Sequence, residues 1–149
     1  MTGVTRMGIL NKHYHGSNDP YQLAYDLGID PIKMHIVKYI TRFRRKGGYR
    51  DLLAAKFSIQ RLKEVYGDES WSTADLPYVR KYIKEDTLIL DRFAKDNSLS
   101  WLQKATLKQF LITTRYSDKY MEELDNVLPL IDRLIAHEYP HEHQRVLIV

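Results

Sequence analysis

Paired helix start and stop signals divide the front of this chain into short segments, and they limit its fold more than any other feature. Asp19-Pro20 and Asp30-Pro31 each place a side-chain acceptor before a proline, the pattern of an N-cap followed by the first helical residue. Gly28 and the pair Gly47-Gly48 stand where such helices stop in the left-handed conformation. The spacing predicts helices over about 20–27 and about 31–45.

Apolar residues at spacings of three and four predict four more helices. These cover about 51–66, 77–96, a segment that starts at Ser98 or Ser100 and runs to 114, and about 118–137. Pro129 lies inside the last of them and predicts either a kink or a division. The side chains expected to face inward are Leu52, Ala55, Ile59, Leu62, Tyr66, Tyr78, Tyr82, Leu88, Phe93, Met121, Leu124, Leu128, Ile131 and Ile135.

Neither strand alternation nor a repeat of 20–50 residues is visible in the sequence. We therefore expect an all-α fold, a compact bundle of five or six helices in antiparallel hairpins, with residues 1–149 forming a single domain. The absence of cysteine excludes disulfides and thiol chemistry and fits a reducing cytosol. No apolar run approaches the roughly 18–20 residues that span a bilayer, and no secretory signal opens the chain. These features predict a cytoplasmic protein without membrane contact.

The net charge of +4 is concentrated in one segment. Residues 33–50 hold seven Lys or Arg and no acid, which leaves 16 basic and 19 acidic residues, or −3, for the rest of the chain. On a helix, Lys38, Arg42 and Arg45 form one stripe, and Lys46 reaches the same surface from four residues beyond Arg42. The opposite side is apolar, with Ile36, Ile40 and Phe43. Such a stripe is either a solvated face or a site for a polyanion, which would relieve the repulsion between like charges.

Three blocks of residues carry a resemblance to a known family. They are His13, Tyr14 and Gly16; Lys38, Tyr39, Arg42, Lys46 and Gly47; and Asp51, Leu52, Ala55 and Lys56. Over about residues 12–66 the chain resembles a small domain of tailed-phage proteins, which forms the C-terminal part of the nucleotide kinase of the T-odd coliphages. Residues 68–149 match no family pattern and are expected to be additional packing helices. The cysteine-bearing N-terminal region of the phage kinase is missing from this sequence.

This resemblance implies a nucleoside monophosphate kinase without a P-loop, working on nucleotides in the host cytoplasm. ATP or another nucleoside triphosphate would be the donor. The catalytic candidates are Lys38, Arg42 and His13, and the nucleotide-binding candidates are Tyr14, Tyr39, Arg45, Lys46 and Lys56. Asp19 and Asp51 are candidates for Mg²⁺, although both positions also suit a helix cap. A homo-oligomer is expected from the surplus of apolar residues and from the habit of small nucleotide enzymes of building sites between subunits.

Other interpretations stay open. The chain is alternatively a nucleotide-binding or nucleic-acid-binding module without turnover, or a host-takeover protein that docks through its second half. His137 to His141 spell the H-E-x-x-H zinc signature, but Pro140 interrupts the helical turn that a zinc site needs. Glu122-Glu123 begins the acidic block of all-α pyrophosphohydrolases, but Asn126 stands where the third acid belongs.

Overall fold

The computed structural model describes residues 18–66 and 79–142, and every regular element in these ranges is helical. The all-α prediction is confirmed. The helices are α1 (Pro20–Leu27), α2 (Pro31–Arg42), α3 (Tyr49–Tyr66), α4 (Val79–Asp96), α5 (Trp101–Lys108) with a π-helical turn after it (Gln109–Thr113), α6 (Tyr120–Asp125) and α7 (Val127–Glu138).

The first two helices begin and end as their local residues dictate. The Asp19 carboxylate accepts from the amide of Gln22, and that of Asp30 accepts from the amide of Lys33, both at 2.9 Å. Each is the N-cap of a helix whose first residue is proline. Gly28 ends α1 with a φ of +65°, a conformation that side chains with a Cβ rarely adopt.

The second helix is shorter than predicted. It ends at Arg42 and not near Arg45, and residues 43–48 form a turn before α3 begins. Gly48 closes this turn with a φ of +60°, and its amide donates to the carbonyl of Phe43. The Gln103 side chain donates to the carbonyl of Ile40 at 2.9 Å, so one of the terminal carbonyls of α2 is satisfied by α5.

One hydrophobic cluster joins helices from both sides of residue 67. Ile36, Ile40 and Phe43 of the predicted apolar stripe are all 0% exposed. The inward prediction is also confirmed for Leu52, Ala55, Ile59, Leu62, Phe93, Leu124, Ile131 and Ile135. Helix α3 packs against both α2 and α7, so this cluster holds the cation-bearing helix against the C-terminal part of the chain.

Two inward predictions on α4 are wrong. Tyr82 is 40% exposed and Leu88 is 55% exposed. The buried face of this helix instead follows Asp86, Leu90 and Phe93, at spacings of four and three. Leu88 lies about 200° around the axis from Leu90, at 100° per residue, and so points away from the core. Among the other inward candidates, Met121 and Leu128 are half-buried, and Tyr66 and Tyr78 lie outside the described side chains.

Pro129 divides the last predicted helix into α6 and α7. A proline ring clashes with the carbonyl four residues earlier, which here belongs to Asp125, the last residue of α6. The break falls at Asn126, and Pro129 then occupies the first turn of α7, where its missing N–H leaves no bond unmade. Within the described ranges, no helix is long and apolar enough to span a membrane.

Candidate functional site

The cation cluster consists of Lys38, Arg42 and Lys46 on the last turns of α2 and the turn that follows. Arg42 is the most enclosed, with its side chain 14% exposed, and its guanidinium lies 5.5 Å from the centroid of the Tyr39 ring. Its Nε atom lies 3.4 Å from Asp51 Oδ2, as an ion pair without hydrogen-bond geometry. Lys38 is half-buried and Lys46 is exposed. Arg42, one of the predicted catalytic residues, is therefore held in place by its own protein.

Asp51 is held against this cluster by its own loop. Its side chain is 9% exposed, and Oδ2 accepts from the amide of Gly47 at 3.1 Å. A Cβ atom on Gly47 would lie 2.0 Å from Asp51 Oδ1, so a larger residue at position 47 would displace the carboxylate from its present place. Asp51 was a candidate for Mg²⁺, and the structure places it as the counter-ion of Arg42 in the first turn of α3.

The charges in this cluster are only partly balanced. Three cations face one carboxylate, and in the described ranges Lys38 and Lys46 have no carboxylate within ion-pair distance. Burial, and after it the charges of Arg42 and Lys46, lower the pKa of the Lys38 ammonium, while Asp51 acts in the opposite direction. Loss of hydration and repulsion between like charges thus disfavour the charged form of Lys38, and a bound anion would favour it.

The turn that carries Lys46 is anchored to the end of α7. Arg44 binds the Glu138 carboxylate through Nε, at 2.8 Å, and through Nη2. The Tyr139 ring packs 6.1 Å from the rings of both Phe43 and Tyr49. Its hydroxyl faces Gly48, where a Cβ atom would lie 3.4 Å from Oη. These contacts fix the turn between α2 and α3 relative to the core.

The remaining predicted site residues lie in different places. Tyr39 is half-buried beside Arg42, and Arg45 is exposed in the turn. Lys56 donates to Asp132 Oδ1 at 2.6 Å and so links α3 to α7. Asp19 is 1% exposed and caps α1, the alternative role weighed for it. His13, Tyr14 and Gly16 lie outside the described residues.

The described residues contain neither a cluster of metal-binding side chains nor a helical H-E-x-x-H site. Across residues 18–66 and 79–142, no three His, Asp or Glu side chains come together as a group that could hold a metal ion. Helix α7 ends at Glu138, and Tyr139 leaves the helical conformation with a φ of −134°. His137 and His141 therefore do not share one helical turn, and Glu138 is bound to Arg44.

A partly buried polar cluster around Asp86 of α4 was not predicted. The Tyr116 hydroxyl donates to Asp86 Oδ2 at 2.6 Å, and Arg115 lies 3.7 Å from the same oxygen. A cavity of about 690 Å³ opens beside Tyr116 and the π-helical turn. Thr114 stabilises that turn because its amide and its hydroxyl both donate to the carbonyl of Gln109. Asp86 follows Lys84 and Glu85 in a charged stretch of the sequence, and its two partners, Tyr116 and Arg115, join it only in the folded chain.

Removing the Tyr116 hydroxyl should destabilise the protein in a pH-dependent way. Burial raises the pKa of Asp86, while the Tyr116 hydrogen bond and the Arg115 charge lower it. The net shift of the Asp86 pKa is upward. Folded Asp86 therefore keeps its proton at pH values at which the unfolded residue has lost it, and the free energy of unfolding falls as pH rises above the ordinary pKa of 3.8. Tyr116→Phe removes a bond to the charged form and raises this pKa further. We expect a loss of about 1.5–2 kcal/mol at neutral pH and clearly less in acid.

Urea denaturation of the Tyr116→Phe variant and the unmodified protein, at neutral and at acid pH, measures this loss of stability. Tyr25→Phe is the matched control, since Tyr25 is 84% exposed, and it should leave the free energy of unfolding unchanged at either pH. An equal loss for Tyr116→Phe in acid and at neutral pH would show that the hydroxyl does not act on the Asp86 carboxylate.

Comparisons with models of protein families, with curated proteins and with solved structures find no match to this chain. The resemblance to the tailed-phage domain thus stays a prediction that depends on the three blocks of residues quoted for it.

Proposed function

We propose that this protein binds the phosphates of a nucleotide through Lys38, Arg42 and Lys46. The observation that carries the proposal is the charge imbalance of the cation cluster, where three cations face the single carboxylate of Asp51. Arg42 is fixed by Asp51 and the Tyr39 ring, so little side-chain freedom is lost when it meets a ligand. Lys46 is exposed and keeps its three donors available, which suits a phosphate group.

On the resemblance to the tailed-phage domain, we further propose that the reaction is phosphoryl transfer to a nucleoside monophosphate. An oxygen of the monophosphate attacks the γ-phosphorus of the triphosphate, the bond from that phosphorus to the β,γ-bridging oxygen breaks, and two nucleoside diphosphates form. Such a reaction needs mainly positioning and neutralisation of charge, which a set of Lys and Arg side chains supplies. The same resemblance supports a location in the host cytoplasm, and the surplus of apolar residues in the sequence supports a homo-oligomer.

Binding without turnover is the second candidate, and one observation favours it. Asp51, one of the two proposed Mg²⁺ ligands, is already bound by Arg42 and by the Gly47 amide. Asp19, the other, caps α1 through the Gln22 amide. Both carboxylates have structural roles that need no metal, so a nucleotide can be bound by the cation cluster without the metal that transfer requires.

Incubation with labelled ATP, Mg²⁺ and each deoxynucleoside monophosphate separates these two candidates. Labelled diphosphate from at least one monophosphate is the result expected of the kinase. Saturable binding of nucleotides without labelled diphosphate would overturn the kinase and keep the binding proposal. Binding to DNA or RNA alone, with affinity that falls steeply as salt rises, would show that the cluster contacts a nucleic-acid backbone.

Neutralising Lys46 should weaken nucleotide binding without harming the fold. Lys46→Gln removes an exposed cation that has no carboxylate partner among the described residues, so stability should change by less than about 0.5 kcal/mol. The affinity for ATP should fall about tenfold, because a charge-assisted contact to phosphate is lost. Isothermal titration calorimetry measures the affinity. Lys95→Gln on α4 makes the same charge change at another exposed lysine and should leave the affinity for ATP unaltered. Equal losses of affinity in both variants would refute a specific site.

A further inference from the structure

A second cavity is lined by both members of the Arg44–Glu138 ion pair. It has a volume of about 480 Å³ and opens between the first turn of α5 and the last turns of α7. The buried side chains of Leu102 and Leu134 contribute apolar wall, and the polar lining includes Arg44, Arg133, His137 and Glu138. Small-molecule sites commonly have volumes of about 300–1,000 Å³ and join an apolar wall to a few polar groups.

Trp101 gives this cavity an exposed aromatic surface. It is the first residue of α5, and its side chain is 69% exposed although the indole is the largest apolar group a protein has. Its ring is faced by the Arg133 guanidinium at 5.6 Å from the centroid. An exposed indole ring with a cation beside it is the arrangement on which planar heteroaromatic rings stack.

The charged groups of the cavity favour an anion. Arg44 is paired with Glu138, whereas Arg133 has no carboxylate within ion-pair distance in the described ranges. His137 is exposed on the same side of α7, one turn beyond Arg133. Side chains at i and i+4 of a helix are neighbours, so the two groups can donate to a single anionic group.

We propose that this cavity binds a planar aromatic anion the size of a nucleoside monophosphate. The ring stacks on Trp101, and the anionic group binds Arg133 and His137. Lys38, Arg42 and Lys46 do not line the cavity, so this site is separate from the proposed phosphate site and stands or falls independently of it.

Fluorescence of Trp101 reports directly on this site. Trp71 and Trp101 are the two tryptophans of the sequence, so Trp71→Phe leaves Trp101 as the single indole. In that background we expect AMP to quench the emission saturably. Adenosine, with the same ring and the same absorbance but no charge, should bind about tenfold more weakly, and inorganic phosphate should not quench. Equal affinity for AMP and adenosine, or no saturable quenching by AMP, would overturn the proposal.

Substitutions then locate the ligand. Arg133→Gln should weaken AMP binding about tenfold. Arg92→Gln, which removes an exposed arginine of α4, should leave it unchanged. In the same background Lys46→Gln should also leave the quenching unchanged, although it weakens binding of ATP at the cation cluster. Loss of AMP quenching with Lys46→Gln but not with Arg133→Gln would place the ligand at the cluster and refute a second site.

Discussion

Replacing Phe43 with alanine will lower the free energy of unfolding by about 3–5 kcal/mol, the usual loss for a buried phenylalanine. Phe43 is 0% exposed, belongs to the hydrophobic cluster and packs in a T-shaped arrangement with the Tyr139 ring. The variant loses the transfer free energy of the ring and leaves a cavity where α2 ends. Urea denaturation, with an unchanged dependence of free energy on urea concentration, measures the loss.

Phe57→Ala is the matched control for this substitution. Phe57 is 64% exposed on α3, so the same change in side chain should cost about 0.5 kcal/mol or less. Phe43→Leu keeps most of the apolar volume, so its loss of free energy of unfolding should lie between those of Phe43→Ala and Phe57→Ala. Losses of similar size at positions 43 and 57 would show that the end of α2 is not packed against the core as described.

The start and end signals of the helices could be predicted because they act over three or four residues. Asp19 and Asp30 satisfy amides three positions ahead, and Gly28 adopts the conformation that its missing Cβ allows. The apolar stripe of Ile36, Ile40 and Phe43 was equally local, since one helix determines which residues share a face.

The elements that differed from the prediction depend on packing. Nothing near Gln109 identifies the π-helical turn, which shifts the hydrogen-bond register by one residue between α5 and the loop before α6. Pro129 signalled a disturbance, but its clash falls four residues earlier, so the break lies at Asn126. Leu88 was expected inside because it is apolar, and it is exposed because α4 turns a different face to the core.

The candidate site also combines features that the local sequence determines with features that depend on packing. The spacing of Lys38, Arg42 and Lys46 follows from the helix, and the sequence therefore predicts that they share a surface. The carboxylates that bind the nearby cations could not be predicted in this way. Arg44 binds Glu138 across 94 positions and Lys56 binds Asp132 across 76. The fold alone brings carboxylates to Arg44 and Lys56. No carboxylate of the described residues forms an ion pair with Lys46.

Replacing Asp51 with asparagine should lower stability and, in the same variant, strengthen anion binding. Asparagine keeps the shape and can still accept from the Gly47 amide, but it leaves the enclosed Arg42 guanidinium without its counter-ion. Removing one partner of a buried ion pair costs about 3–5 kcal/mol, and the partial exposure of this pair lowers our expectation to about 2–3 kcal/mol. The cluster then carries three positive charges with no carboxylate beside it.

The change in melting temperature that an anion causes in the Asp51→Asn variant shows whether Asp51 is a counter-ion of the cluster or a ligand of Mg²⁺. Pyrophosphate, at ionic strength matched with chloride, should raise the melting temperature of this variant more than that of the unmodified protein, because the anion replaces the missing negative charge. Asp132→Asn, which removes the partner of Lys56 outside the cluster, should leave the response to pyrophosphate unchanged. If Asp51 is instead a ligand of Mg²⁺, the Asp51→Asn variant should lose the magnesium-dependent part of its stabilisation by ATP and gain nothing from pyrophosphate. The two roles predict changes of opposite direction at one residue, because a counter-ion competes with the phosphate whereas a metal ligand recruits it.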